Sequence, residues 1–125
     1  MIRILLVEDD PVIRDTTSYF LKCQQNFEVV CADTGGEALS HAREKFDVIL
    51  MDIRMPVMSG LEAARQIRAM SRADAQTVPI IAMTANAYEE DVSQSLAAGM
   101  NAHLAKPIEP QVILDTLAGY IGSKN

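Results

Sequence analysis

The chain has 125 residues, 49% hydrophobic and 22% charged, with a net charge of −6 and a pI near 4.8. That length suits one domain with one core, and the composition excludes disorder, collagen and a disulfide scaffold. The acidic surface repels phosphate backbones and anionic headgroups, and no apolar run nears the ~20 residues of a membrane span, so neither nucleic acid nor membrane is an expected contact of this domain.

Elements alternate in type along the chain. Ile2–Val7 is a near-continuous apolar run, as in a strand buried on both faces. Asp10-Pro11 reads as a helix start, with Asp10 at the N-cap and Pro11 in the first helical position; Ile13, Thr17, Phe20 and Leu21 form the buried stripe. Phe27–Ala32 is a second strand. Thr34-Gly35-Gly36-Glu37 leads into a helix with a stripe of Leu39, Ala42 and Phe46. Asp47–Asp52 is a third buried strand, and Ile53–Gly60, holding Pro56 and Gly60, is a loop. Leu61, Ala64 and Ile67 mark the next helix. The polar stretch 71–78 reads as loop, Ile80–Met83 as strand, and 86–98 as a helix that Gly99 closes. Ala102–Ala105 is a short fifth strand, and a helix over 109–121 carries Ile113, Leu117 and Ile121. Five strands alternating with five helices predict a parallel sheet covered on both faces.

In such sheets, ligands bind beyond the carboxyl ends of the strands. Glu8, Asp9 and Asp10 follow the first strand, Asp52 closes the third, Thr84 the fourth, and Lys106-Pro107 the fifth. Each has an ordinary structural use: Asp10 and Thr84 as helix caps, Asp52 as a turn former, Lys106 as a solvated charge. Their joint occurrence on one edge of the sheet is the signal. Three close carboxylates repel, so they share a proton or take up a cation. All-oxygen donors with few protein ligands suit Mg²⁺. An aspartate beside such an ion is a candidate nucleophile toward phosphorus, with an ammonium and a hydroxyl to neutralise the phosphoryl oxygens.

Four segments, Val7–Asp10, Met51–Gly60 (MDIRMPVMSG), Met83–Asn86 (MTAN) and Leu104–Pro107 (LAKP), together resemble the receiver domain of two-component response regulators. The resemblance covers essentially the whole chain and is greatest to receivers of hybrid sensor histidine kinases. It implies a flavodoxin-like doubly wound (βα)5 fold with strand order 2-1-3-4-5, and residues 1–125 read as a single receiver domain with no output domain expected on this chain. It implies that Asp52 accepts a phosphoryl group from a phosphohistidine. Glu8, Asp9, a side-chain oxygen of Asp52 and the backbone carbonyl of Arg54 would hold Mg²⁺, with Mn²⁺ as a substitute. Thr84 and Lys106 would bind the phosphate, Ala85 would leave access to it, and Lys106–Pro107 would be a cis peptide. The face made by the helix over 86–98, the fifth strand and the last helix would switch. The implied partners are a histidine kinase dimerisation domain or a histidine phosphotransfer protein, docking on Val12, Ile13, Arg14, Pro107 and Ile108. The implied setting is cytoplasmic, including the cytoplasmic part of a membrane-bound hybrid kinase. The domain would be a monomer able to pair on phosphorylation, catalysing only its own phosphorylation and dephosphorylation.

Two positions depart from the family pattern. His103 stands where Tyr or Phe is usual as the rotamer switch, and Ser59 where Asp is common. A phosphatase of the haloacid-dehalogenase type wants a second Asp two residues after its nucleophile, and that position holds Arg54. A pseudo-receiver would need none of Glu8, Asp9, Asp52, Thr84 and Lys106. Gly35-Gly36 belongs to no G-x-G-x-x-G or G-K-[ST] pattern, and no Cys/His cluster has zinc spacing. Cys23 and Cys31 read as inert core thiols.

Overall fold

Leu5 and Val7 point to one side of the first strand and Ile4 and Leu6 to the other, and all four are fully buried. Two cores on either face of one sheet follow from that period-2 alternation. The computed structural model describes residues 2–24, 26–84, 89–106 and 108–121. Its strands are β1 (Ile2–Val7), β2 (Phe27–Ala32), β3 (Val48–Asp52), β4 (Ile80–Thr84) and β5 (Ala102–Ala105), and its helices are α1 (Pro11–Lys22), α2 (Gly35–His41), α3 (Gly60–Arg68), α4 (Ala73–Thr77), α5 (Glu89–Ala97) and α6 (Pro110–Ile121). All strand pairs are parallel, in the order β2-β1-β3-β4-β5, as expected.

One core joins Ile4, Leu6, Leu50, Ile81, Met83 and Leu104 of the sheet to Leu21 of α1 and to Ile113, Leu117 and Ile121 of α6. The other joins Leu5, Val7, Ile49, Met51, Ile80 and Ala82 to α2, α3 and α4 and to Ala98 and Met100 beyond α5. The 3.6-residue period places Ile113, Leu117 and Ile121 on one stripe of α6, where each side chain contributes about 1.5–3 kcal/mol on burial.

Local signals set the boundaries. The Asp10 side chain accepts from the Val12 and Ile13 N–H groups, Thr34 caps α2, and Ser59 caps α3 through the Glu62 N–H. Gly99, at φ +95°, ends α5 in a Schellman turn: Met100 N–H donates to Ser95 O and Gly99 N–H to Leu96 O. A Cβ at Gly60 would lie 2.0 Å from the Asp52 carbonyl oxygen, so only glycine lets α3 start hard against the end of β3.

Four expectations are corrected. The stretch 71–78 holds the short helix α4, giving six helices among the described residues instead of five. It is too short and polar to show a period, and bonds from outside it hold it: Arg68 Nη1 donates to Ala75 O, and Arg72 Nε donates to Asp74 Oδ1. α2 stops at His41, so Phe46 reaches the core from a loop. Cys23 is exposed at the C-cap of α1 instead of lying in the core. Arg14, expected to be exposed as part of the docking patch, is half-buried. The helix expected over 86–98 is α5; its expected start at Asn86 lies outside the described residues.

Candidate functional site

The edge of the sheet where β1, β3, β4 and β5 end gathers the charged residues. Glu8, one residue past β1, is fully buried, and Asp52, the last residue of β3, is 4% exposed. Asp9 beside them is half-buried. One carboxylate oxygen from each of the three lies within 4.8 Å of the others. Lys106 follows β5 and reaches across, its Nζ 2.8 Å from Glu8 Oε1 and 3.1 Å from Asp52 Oδ1. β4 sits between β3 and β5, so Lys106 spans its end; there the Thr84 carbonyl accepts from the Lys106 N–H at 2.7 Å.

Backbone donors hold the acids in place. The Asp10 N–H donates to Glu8 Oε2 at 3.2 Å, and the Arg54 N–H to Asp52 Oδ1 at 3.3 Å. Glu8 Oε1 is in ionic contact with Lys106 but accepts no aligned hydrogen bond from it. A fully buried carboxylate oxygen is thereby left with spare acceptor capacity.

The electrostatics follow from three carboxyl groups with Lys106 in contact with two of them. Burial first, and the neighbouring Glu8 and Asp9 carboxyl groups second, push the Asp52 carboxyl up from 3.8 to about 7, with the Lys106 ammonium pulling the other way. Burial alone would lower Lys106, but the Glu8 and Asp52 carboxylates outweigh it and hold the ammonium above its usual range. The cluster is short of positive charge. Oxygen-only donors, close enough to share one ion, fit a hard divalent cation.

The structure thus brings Glu8, Asp9, Asp52 and Lys106 together. Thr84 is buried at the end of β4. Arg54 presents its backbone to Asp52 while its side chain is exposed. Ala85 and Pro107, with the Lys106–Pro107 peptide expected to be cis, lie outside the described residues. His103 is half-buried on β5, in register with Ala82 and on the face opposite Leu104. Val12, which is 72% exposed, and the half-buried Ile13 and Ile108 line a groove of about 230 Å³ with Thr16, Thr17 and Lys106. Arg14 is not on that groove; its Nη1 donates to the Glu8 carbonyl at 3.3 Å. The sequence had no signal for that bond, which spans six residues from a strand end into a helix. Thr16 and Thr17 were findable as the α1 positions one turn beyond Val12 and Ile13.

Comparison with known proteins gives three kinds of match. A family model described as the response regulator receiver domain matches residues 4–118. The CAI-1 autoinducer sensor kinase/phosphatase CqsS of Vibrio cholerae is 38% identical over 120 residues; the match covers 95% of this chain and 17% of that protein. The chain therefore spans only about a sixth of the length of that curated relative. Among solved structures, the receiver domain of the sensor histidine kinase PA1611 from Pseudomonas aeruginosa, with a magnesium ion coordinated in its active-site cleft, is 41% identical with a TM-score of 0.87, covering 96% of this chain and 97% of that one. The receiver domain of the Saccharomyces cerevisiae response regulator Ssk1, co-crystallised with the histidine phosphotransfer protein Ypd1, is 29% identical with a TM-score of 0.87, covering 98% and 90%. Among the described residues, no helix is long and apolar enough to cross a membrane.

Proposed function

This chain belongs to the response regulator receiver domain family, the signalling domains of two-component and phosphorelay systems, and from that premise we propose that Asp52 is its phosphoacceptor. The observation that carries the proposal is one buried carboxylate between Lys106 at 3.1 Å and the Glu8–Asp9 pair. Its oxygen attacks the phosphorus of a phosphohistidine. The P–O bond forms as the P–N bond breaks, and the imidazole nitrogen leaves with the bonding pair. Lys106 and Thr84 would bind the phosphoryl oxygens. Glu8, Asp9, Asp52 and the Arg54 carbonyl would hold Mg²⁺, or Mn²⁺ in its place. The ion supplies charge neutralisation on the transferring group, and its binding favours the ionised form of Asp52.

The donor is a histidine-bearing helical protein, either a kinase dimerisation domain or a phosphotransfer protein. It docks on the groove of Val12, Ile13 and Ile108, and the complex of the Ssk1 receiver with Ypd1 supports that class of partner. The signal leaves through Thr84 and His103 to the face of α5, β5 and α6. Residues 1–125 act as one cytoplasmic receiver domain, monomeric before phosphorylation and able to pair after it. Its only catalysis is on its own phosphoryl group. Arg54 two residues after Asp52, where a haloacid-dehalogenase phosphatase needs an acid, supports this against turnover of free phosphoesters, and the complete acidic and basic set supports it against a pseudo-receiver.

Mass spectrometry after incubation with Mg²⁺ and a small phosphodonor tests it. Wild type gains one acid-stable, base-labile phosphoryl group, and Asp52→Asn gains none at that site. Equal labelling of the variant overturns the assignment.

A further inference from the structure

We propose that Arg14 is a positioning residue of the acidic turn, setting the Glu8–Asp9 segment in the arrangement that takes a divalent cation. The proposal rests on the cation-assisted reading of the site given above. β1 ends at Val7. The Glu8 N–H still donates across the sheet to Ala32 O at 3.0 Å, but the Glu8 carbonyl lies beyond the strand ladder. It accepts from Arg14 Nη1 at 3.3 Å, reaching back from the first turn of α1. Arg14 is itself anchored, its N–H donating to Asp10 O at 2.9 Å, and its side chain is only 21% exposed.

The carbonyl Arg14 holds belongs to the peptide that joins the two acids. That peptide's orientation decides where the Asp9 side chain leaves the backbone. Glu8 has further tethers, from the Asp10 N–H and from Lys106, so half-buried Asp9 depends more on the peptide.

Arg14 acts on a bound cation in two opposing ways, which makes the idea testable by sign. Its charge repels a cation, so charge alone predicts tighter binding when Arg14 is removed. Its hydrogen bond organises the ligands, so positioning predicts weaker binding. The experiment is Mg²⁺ titration by calorimetry on wild type, Arg14→Met and Arg14→Lys, with the Mg²⁺ needed for half-maximal labelling by a small phosphodonor as a second readout. Arg14→Met should weaken Mg²⁺ binding by about tenfold, the lower end of what loss of an outer-shell partner does to metal sites. It should raise the half-saturating Mg²⁺ in proportion and leave the labelling rate at saturating Mg²⁺ near wild type. Arg14→Lys, which keeps the charge and a donor on a less organised stem, should fall between. Equal or tighter binding by Arg14→Met overturns the proposal. If that variant melts below the assay temperature in chelator, Arg14→Lys carries the test, and wild-type affinity there overturns it. Asp9→Ala separates the two levels. Unchanged Mg²⁺ binding in Asp9→Ala means the cation sits elsewhere and the site reading itself fails. Lost binding in Asp9→Ala with retained binding in Arg14→Met removes only the role of Arg14.

Discussion

Two groups of charge sit at opposite ends of the same sheet, built from the same kinds of residue. At the amino end, Arg3 of β1 pairs with Glu28 of β2 at 2.7 Å and with Glu44 at 3.3 Å, its backbone N–H donates to Asp47, and its guanidinium lies 4.5 Å over the Phe46 ring. At the carboxyl end, Lys106 pairs with Glu8 and Asp52 at similar distances. What differs is water. The amino-end side chains are 30–60% exposed, whereas Glu8 and Asp52 are at most 5% exposed. Exposed pairs are screened and nearly neutral in energy, while buried like charges are held at a loss. The amino end holds strands together. The carboxyl end stores repulsion between buried carboxylates that Lys106 offsets only in part.

The largest test of that contrast removes the one base that bridges the buried acids. Lys106→Met should destabilise the metal-free protein by about 3 kcal/mol near pH 8, because it leaves buried carboxylates unpaired. The loss should shrink at lower pH as Asp52 takes up a proton. Urea melts at the two pH values check it, and an unchanged stability at high pH would mean that water already screens the carboxyl end.

The second test reads the stored repulsion through pH. Asp52 titrates at about 7 in the fold against 3.8 ordinarily. The folded state therefore binds the proton more tightly than the unfolded chain. Stability is full below about 3.8, declines through the window between the two values, and levels off above about 7. From about pH 5 to about pH 8 the metal-free protein should lose on the order of 2 kcal/mol, at 1.36 kcal/mol per unit. Asp52→Asn lacks this contribution, so its melts should show a flatter profile. Parallel profiles for the two proteins would place the titrating acid elsewhere.

The sequence already carried most of both ends, for different reasons. The central strands β1, β3 and β4 were legible because burial on both faces makes them continuous apolar runs, α1 because a capping pair and an apolar period coincide, and α3 from its apolar period alone. The order of the strands came from resemblance, not from any local pattern. Asp52, Glu8, Asp9 and Lys106 were legible as strand-end charges, because topology alone brings such positions to one edge. The short α4 was not, since five residues, three of them polar, hold no period and its bonds come from Arg68 and Arg72. Nor was the bond from Arg14 to the Glu8 carbonyl, because a side chain reaching a backbone oxygen leaves no mark on spacing. The strain at Val57, an exposed branched residue at φ +69°, is equally invisible in composition, since valine is no turn former.

The smallest test belongs to the amino end and sets the scale for the others. Glu28 lies directly opposite Arg3 in the β1–β2 register, and its hydrogen bond, the leading cause, raises the Arg3 guanidinium above its already high range. A base with a raised pKa contributes stability that is fully present below the unfolded value and is lost only as pH climbs through the folded one, far above neutrality. The pair should therefore be silent between about pH 5 and about pH 8, where Asp52 is not. Its worth is limited as well. The Glu28 side chain is 50% exposed, and Arg3 would keep Glu44, the Lys45 carbonyl and the Phe46 face if Glu28 lost its charge. Glu28→Gln, which retains an acceptor, should lower stability by no more than about 0.5 kcal/mol, with no pH slope of its own and with the difference vanishing at high salt. Thermal melts at low and high salt measure it. A loss of more than about 1.5 kcal/mol that survives salt would show that the amino end is also electrostatically tense, and the division of labour between the two ends of the sheet would fail.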